Sequence, residues 1–146
     1  MRASAGAFAG LWLLPIFACG PKPPASDQRP SVSDRPLDNR EWALVGLGEA
    51  AAPLGAGGRP ATIQFDPGAG RAAGFAGCNR YSAGYTLAGD SLTFGPALST
   101  KMACADGDEL EREYLAVLPA IRSYQLSDAT LTLDGSSGPL ARFRAP

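Results

Sequence analysis

The stretch Tyr85–Phe94, YTLAGDSLTF, decides the fold. Apolar Tyr85 and Leu87 flank Thr86 before Ala88-Gly89-Asp90-Ser91, and Leu92 and Phe94 flank Thr93 after it. A period of two puts one row of side chains on a core and the other in water. Two such runs around a short turn read as an antiparallel hairpin. Working outward, the same texture recurs on both sides. Trp42–Val45 and Ala61–Phe65 read as early strands joined by the glycine-rich segment Ala50–Pro60. Gly74–Cys78 reads as a third strand, its glycines pointing to a bulge or a close backbone approach. Tyr124–Leu126 and Thr130–Leu133 form a second hairpin around Asp128, and Leu140–Phe143 is the final strand.

One segment has a different period. In Asp106–Ile121 the apolar residues Leu110, Tyr114, Val117, Leu118 and Ile121 fall on one face of a helix. Asp108, with Glu111 three residues on, has the spacing of a capping box, and Pro119 ends or kinks the helix by removing a backbone donor. The expected class is α+β: an antiparallel sheet with one packed amphipathic helix.

The first residues have another character. A single arginine precedes an apolar run from Ala7 to Phe17 that closes on small residues, the layout of a secretory signal peptide over 1–18. Ile16-Phe17-Ala18-Cys19 resembles a bacterial lipobox, which implies cleavage before Cys19 and acylation of its thiol. Gly20, rather than an aspartate, follows the cysteine and favours the outer membrane by the lipoprotein sorting rule. Residues 20–40 hold five prolines and three serines with few large apolar groups, so 19–40 reads as a lipidated cysteine with a disordered tether, and 41–146 as the domain. Such a tether reaches up to about 60 Å in the polyproline limit.

Composition narrows the chemistry. The chain of 146 residues contains no histidine, which excludes serine–histidine and cysteine–histidine nucleophile pairs and imidazole metal sites. Without residues 1–18, Arg2 is lost and 12 basic face 14 acidic side chains, a balance with no footprint for nucleic acid. Gly68–Gly74 has the look of a glycine-rich phosphate loop, but no helix follows it, and a β-turn after Asp66-Pro67 accounts for it. Asp106, Asp108, Glu109, Glu111 and Glu113 lack the ligand pattern of a calcium loop, and most suit the first turns of a helix, where the dipole favours negative charge. Glu113 borders the apolar face and is a candidate ion-pair partner for Arg80 or Lys101.

Three cysteines are present, and with Cys19 assigned to lipid the remaining Cys78 and Cys104 make an even pair in an oxidising compartment. A disulfide is the favoured reading. A soft Cu(I) site with Met102, a reactive Cys78 beside Arg80, and two separate buried thiols are the alternatives.

From Glu41 to about Phe143 the chain resembles the META domain, the family of the heat-shock protein HslJ. The resemblance rests on Trp42, Leu44, Phe65, Gly74, Gly77-Cys78-Asn79, Tyr81, Tyr85, Leu92, Phe94, the run Ser99-Thr100-Lys101-Met102-Ala103-Cys104, Glu113, Leu131 and Leu133. It implies a sheet curled toward a barrel, an envelope setting, and links to heat stress and novobiocin resistance; it supplies no catalytic residue. The expected function is therefore a lipid-anchored envelope protein, on the periplasmic face of the outer membrane, whose domain is a non-enzymatic binding or stress-tolerance module without cofactor. Asn79, Arg80, Tyr81 and Glu113 form the expected binding surface. The alternatives are an inhibitor or chaperone-like binder of an envelope hydrolase or secretion component, and a thiol-based metal carrier. Partners in these readings are the membrane, an envelope protein or a small hydrophobic ligand, and not nucleic acid.

Overall fold

The computed structural model describes Leu37 and residues 39–146. The expected signal peptide, the lipobox at Cys19 and most of the tether lie outside those residues. Nine strands form one antiparallel sheet: β1 Glu41–Leu47, β2 Ala50–Ala51, β3 Thr62–Asp66, β4 Arg71–Phe75, β5 Arg80–Ala88, β6 Ser91–Ser99, β7 Ser123–Ser127, β8 Thr130–Gly135 and β9 Gly138–Arg144. β1 pairs with β3 along one side and with β9 along the other, so all but the two-residue β2 close into a barrel. Alternation places Trp42, Leu44, Ile63, Phe65, Tyr81, Leu92, Leu131, Leu133 and Phe143 inside, each nearly or fully buried. Phe65 packs edge-on to Tyr85 at 5.2 Å, and Phe143 edge-on to Tyr114 at 6.2 Å. The Trp42 indole N–H is buried without a hydrogen-bond partner among the described residues, and the Arg40 guanidinium lies 5.2 Å from its ring centroid.

The opening hairpin forms as its period demands, with Thr86 paired to Thr93 and Leu87 to Leu92. A register shift opposite Gly84 marks a bulge in β6, where Gly95 and Pro96 together face that one residue of β5. β4 corrects the expected third strand: it starts at Arg71 and stops at Phe75, while Ala76–Asn79 turns away as a loop. Its glycine, Gly74, faces the Thr62 carbonyl so closely that a Cβ would lie 2.1 Å from that oxygen. The tether is also corrected at its C-terminal end. Leu37 is buried in the core, and Gln64 Nε2 donates to the Asn39 carbonyl, so ordered contacts begin before Glu41.

Between β6 and β7 lies α1, Asp108–Val117, followed by a 3-10 turn at Leu118–Ala120 that contains Pro119. β6 and β7 pair only at Ser91 and Ser123. The helix fills the opening above this point, burying Leu110, Tyr114 and Leu118 in the core. The expected capping box is absent. Gly107, at φ 95°, is the cap, Asp108 is the first helical residue, and no side chain caps the helix. Among the described residues no helix is long and apolar enough to cross a membrane.

Antiparallel alternation sorts the connections into two ends. The β3–β4, β5–β6 and β7–β8 turns lie at one end, together with the entry of the chain into β1. The loops 52–61, 76–79 and 100–107, the helix and the β8–β9 turn lie at the other, here called the rim.

Candidate functional site

The rim is built around a junction of three glycines. The Ala56 amide donates to the Gly77 carbonyl at 2.7 Å, and a Cβ on either Gly55 or Gly107 would stand 2.2 Å from that same oxygen. Gly77 and Gly107 also hold φ 130° and 95°, open to glycine and strained for other residues. Three chain segments thus meet backbone to backbone, which fixes the loop carrying Cys78 and Asn79 against the start of α1.

Two further ties hold the loop before the helix. Cys78 and Cys104 are joined in a disulfide with Cα atoms 5.8 Å apart. Asn79 clamps the same loop on both sides of Met102: its Oδ1 accepts from the Met102 amide at 2.8 Å and from Thr100 Oγ1 at 3.1 Å, while its Nδ2 donates to the Met102 carbonyl at 3.2 Å. The disulfide leaves no thiolate for the Cu(I) or nucleophile readings, although both sulfurs and an Asp108 carboxylate oxygen lie within 4.8 Å of one another. Met102, the other residue of the Cu(I) reading, is 65% exposed.

Glu111, read in the sequence as part of a cap, has a different role. Its Oε2 accepts from the Cys78 amide at 3.3 Å and the Asn79 amide at 2.5 Å, and its Oε1 from Asn79 Nδ2 at 3.2 Å. The carboxylate therefore occupies the turn of backbone amides that follows Gly77. One turn further along α1, Tyr114 reaches the barrel interior. Tyr81 O–H donates to the Thr62 carbonyl at 3.2 Å, so the 2.5 Å contact between the two tyrosine oxygens takes its proton from Tyr114. Burial pushes the Tyr81 hydroxyl well above its ordinary pKa, with the Tyr114 charge adding to it, and burial likewise pushes Tyr114 up.

The expected binding surface is corrected by this geometry. Asn79 and Tyr81 are each only 4% exposed, because the clamp and the inward phase of β5 consume them. Arg80 faces out by the same alternation. Glu113 is exposed on the far side of α1 and forms no ion pair among the described residues, with Arg80, Lys101 or any other cation. What the rim offers to a partner is apolar instead: Leu54, Leu98 and Met102 are 60%, 70% and 65% exposed. An open groove of about 570 Å³ runs between the 99–103 segment and the Asp108, Glu111, Arg112 and Leu115 side of α1. A second, of about 420 Å³, lies between Pro53-Leu54 and the opposite side of the helix. Sequence reasoning missed the roles of Glu111, Thr100 and Leu54: the first was visible as a cap residue and one of five acids, the second only within the Ser99–Cys104 run, and Leu54 carried no local signal.

Residues 35–146 match the META domain family. An NMR structure of a protein from Burkholderia xenovorans is similar at 30% identity and a TM-score of 0.61, over 75% of this chain and 83% of that one. A second NMR structure matches at 22% identity and a TM-score of 0.57, covering 74% of this chain and 90% of the other. A crystal structure of a DUF4847-family protein from Bacteroides vulgatus shares the fold at 14% identity and a TM-score of 0.52, over 74% and 93% of the two chains. No curated protein matches the chain. With a family match that extends over the whole barrel and takes in the buried Leu37, the chain belongs to the META domain family.

Proposed function

We propose that this chain is a lipid-anchored envelope protein whose META domain is a non-enzymatic binding module serving tolerance of heat or antibiotic stress. One observation carries the binding reading. The inward polar side chains of the rim, Asn79, Glu111, Tyr81 and Tyr114, are spent on one another, while Leu54, Leu98 and Met102 stand out from it. Large apolar side chains exposed on a braced backbone suit association, since little freedom remains to be lost on binding. The anchor reading is supported by the lipobox at Cys19 and by topology. The chain enters β1 at the end opposite the rim, so a tether from the membrane leaves the rim facing outward.

Two measurements test this reading. Metabolic palmitate labelling should be lost in Cys19→Ala, and labelling that persists refutes the anchor. A deletion strain should lose tolerance to heat or aminocoumarins, and regain it with the wild-type chain but not with Leu98→Ser/Met102→Ser. Unchanged tolerance on deletion refutes the module.

A further inference from the structure

The groove between α1 and Pro53-Leu54 differs from the rest of the rim in charge. Its apolar wall is Pro53, Leu54 and the edge of Leu110, and its rim is Asp106, Glu109 and Glu113; no basic side chain lines it. Glu109 has one partner, Arg112, at 3.6 Å and highly exposed, while Asp106 and Glu113 have no ion pair among the described residues. The positive end of the helix dipole offsets only part of three carboxylates.

The groove is also rigid. Leu54 is 60% exposed, yet its neighbours are fixed: the Ala52 amide donates to Val45, the Gly55 amide to Arg59 and the Ala56 amide to Gly77. Gly55 and Gly107, on the two walls, both abut the Gly77 carbonyl. The spacing of the walls is therefore set by backbone contact and not by side-chain choice.

From this pairing of an exposed leucine with unpaired acids we infer that the groove docks a basic, apolar-anchored peptide segment of another protein. Such a segment places one large apolar side chain against Leu54 and Pro53, with lysines or arginines on either side toward Asp106, Glu109 and Glu113. Charge complementarity selects this occupant: an anionic lipid surface is repelled, and an uncharged hydrophobe leaves the acids unused. Position supports it, because the groove lies at the end of the barrel opposite the entry of the chain. The inference rests on the reading of the domain as a binding module and names that module's partner chemistry.

The test uses the intact chain, purified in detergent, and a rhodamine-labelled probe, Ac-Lys-Arg-Phe-Arg-Lys-NH2, read by fluorescence anisotropy. Saturable binding is expected at low salt, weakening as salt screens the acids. Leu54→Ser and the double variant Glu109→Gln/Glu113→Gln should each weaken it by about tenfold. A probe with serine in place of phenylalanine should lose as much as Leu54→Ser does. Both sites are exposed, so thermal melting checks that the variants remain folded. No saturation up to about 1 mM probe overturns the inference. So does an affinity unmoved by Leu54→Ser, which would mean charge alone, or a Leu54-dependent self-association in sedimentation, which would assign the groove to a second copy. Failure here leaves the tolerance phenotype standing, and a deletion strain without phenotype leaves peptide binding standing.

Discussion

Asn79→Ala offers the sharpest test of how the rim is held. The substitution removes two acceptor contacts, from Met102 N–H at 2.8 Å and Thr100 Oγ1 at 3.1 Å, and three donor contacts, to the Met102 carbonyl and Glu111 Oε1, both at 3.2 Å, and a weak one to Cys78 Sγ at 3.3 Å. A neutral bond contributes a net of about 1 kcal/mol, and one to a charged group about 1.5–3 kcal/mol. The full sum overstates the loss, because the Met102 backbone lies beside an exposed side chain and water can reach part of it. The expected cost is about 2–3 kcal/mol, against a total stability on the order of 5–15 kcal/mol. Urea unfolding with the disulfide intact should show the midpoint falling by about 1–2 M at an unchanged slope. Asn79→Asp should cost more than Asn79→Ala despite its matching shape, since it loses all three donor contacts and sets a second carboxylate against Glu111. A loss below about 0.5 kcal/mol for the alanine variant, or an aspartate variant as stable as wild type, would refute the clamp.

Two other perturbations follow from the same geometry. Gly107→Ala puts a Cβ 2.2 Å from the Gly77 carbonyl oxygen at φ 95° and should destabilise by about 3 kcal/mol or more, whereas Gly48→Ala, at φ 60° with nothing within 4 Å, should cost about 1–2 kcal/mol; equal melting temperatures for the two would sink the glycine junction. The hydroxyls of Tyr81 and Tyr114 ionise only above the ordinary 10.0 because burial raises both. A raised folded-state value favours the protonated form, so this contribution is complete below pH 10.0 and is lost as alkali drives ionisation through the folded value. Tyrosinate absorbance should therefore rise for these two residues together with loss of the folded signal in circular dichroism, and a full reversible titration near the ordinary value with the fold intact would contradict the buried pair.

Most of the barrel was legible because its physics is local. Period two in Tyr85–Phe94 and Thr130–Leu133 states which side chains face inward, and one residue of error would turn every leucine outward. The third strand was misread for the opposite reason. Ala72, Gly74, Phe75 and Ala76 are apolar or small on both faces, so the pattern carries no phase, and Gly77 looked like part of a strand when its task is contact with Gly55 and Gly107 across the rim. Glu111 and Glu113 posed a related ambiguity. Each borders the apolar stripe of α1, one on either side, and helical period alone does not decide which meets a partner. The choice is made by Gly77, which turns the amides of Cys78 and Asn79 toward Glu111 from another loop entirely. Leu37 was assigned to the tether because a lone leucine among prolines has no period; only the open end of a barrel gives it a place.

Three kinds of constraint converge on the same rim loops, and each fails differently. The disulfide closes a 26-residue separation and acts mainly on the unfolded chain, by roughly 3.5 kcal/mol in the chain-entropy view. Asn79 and Glu111 act on the folded state through directed bonds, and the glycines act by shape. Reduction alone therefore leaves the clamp and the junction in place, so the 100–107 loop keeps its folded geometry while the whole domain loses stability. That separation argues for the disulfide as a staple rather than a switch. Were it a switch, its opening would have to release Met102, yet both backbone groups of Met102 are hydrogen-bonded to Asn79, and Cys78 Sγ, 3.3 Å from the Met102 carbonyl, has no proton to donate while it is in the disulfide.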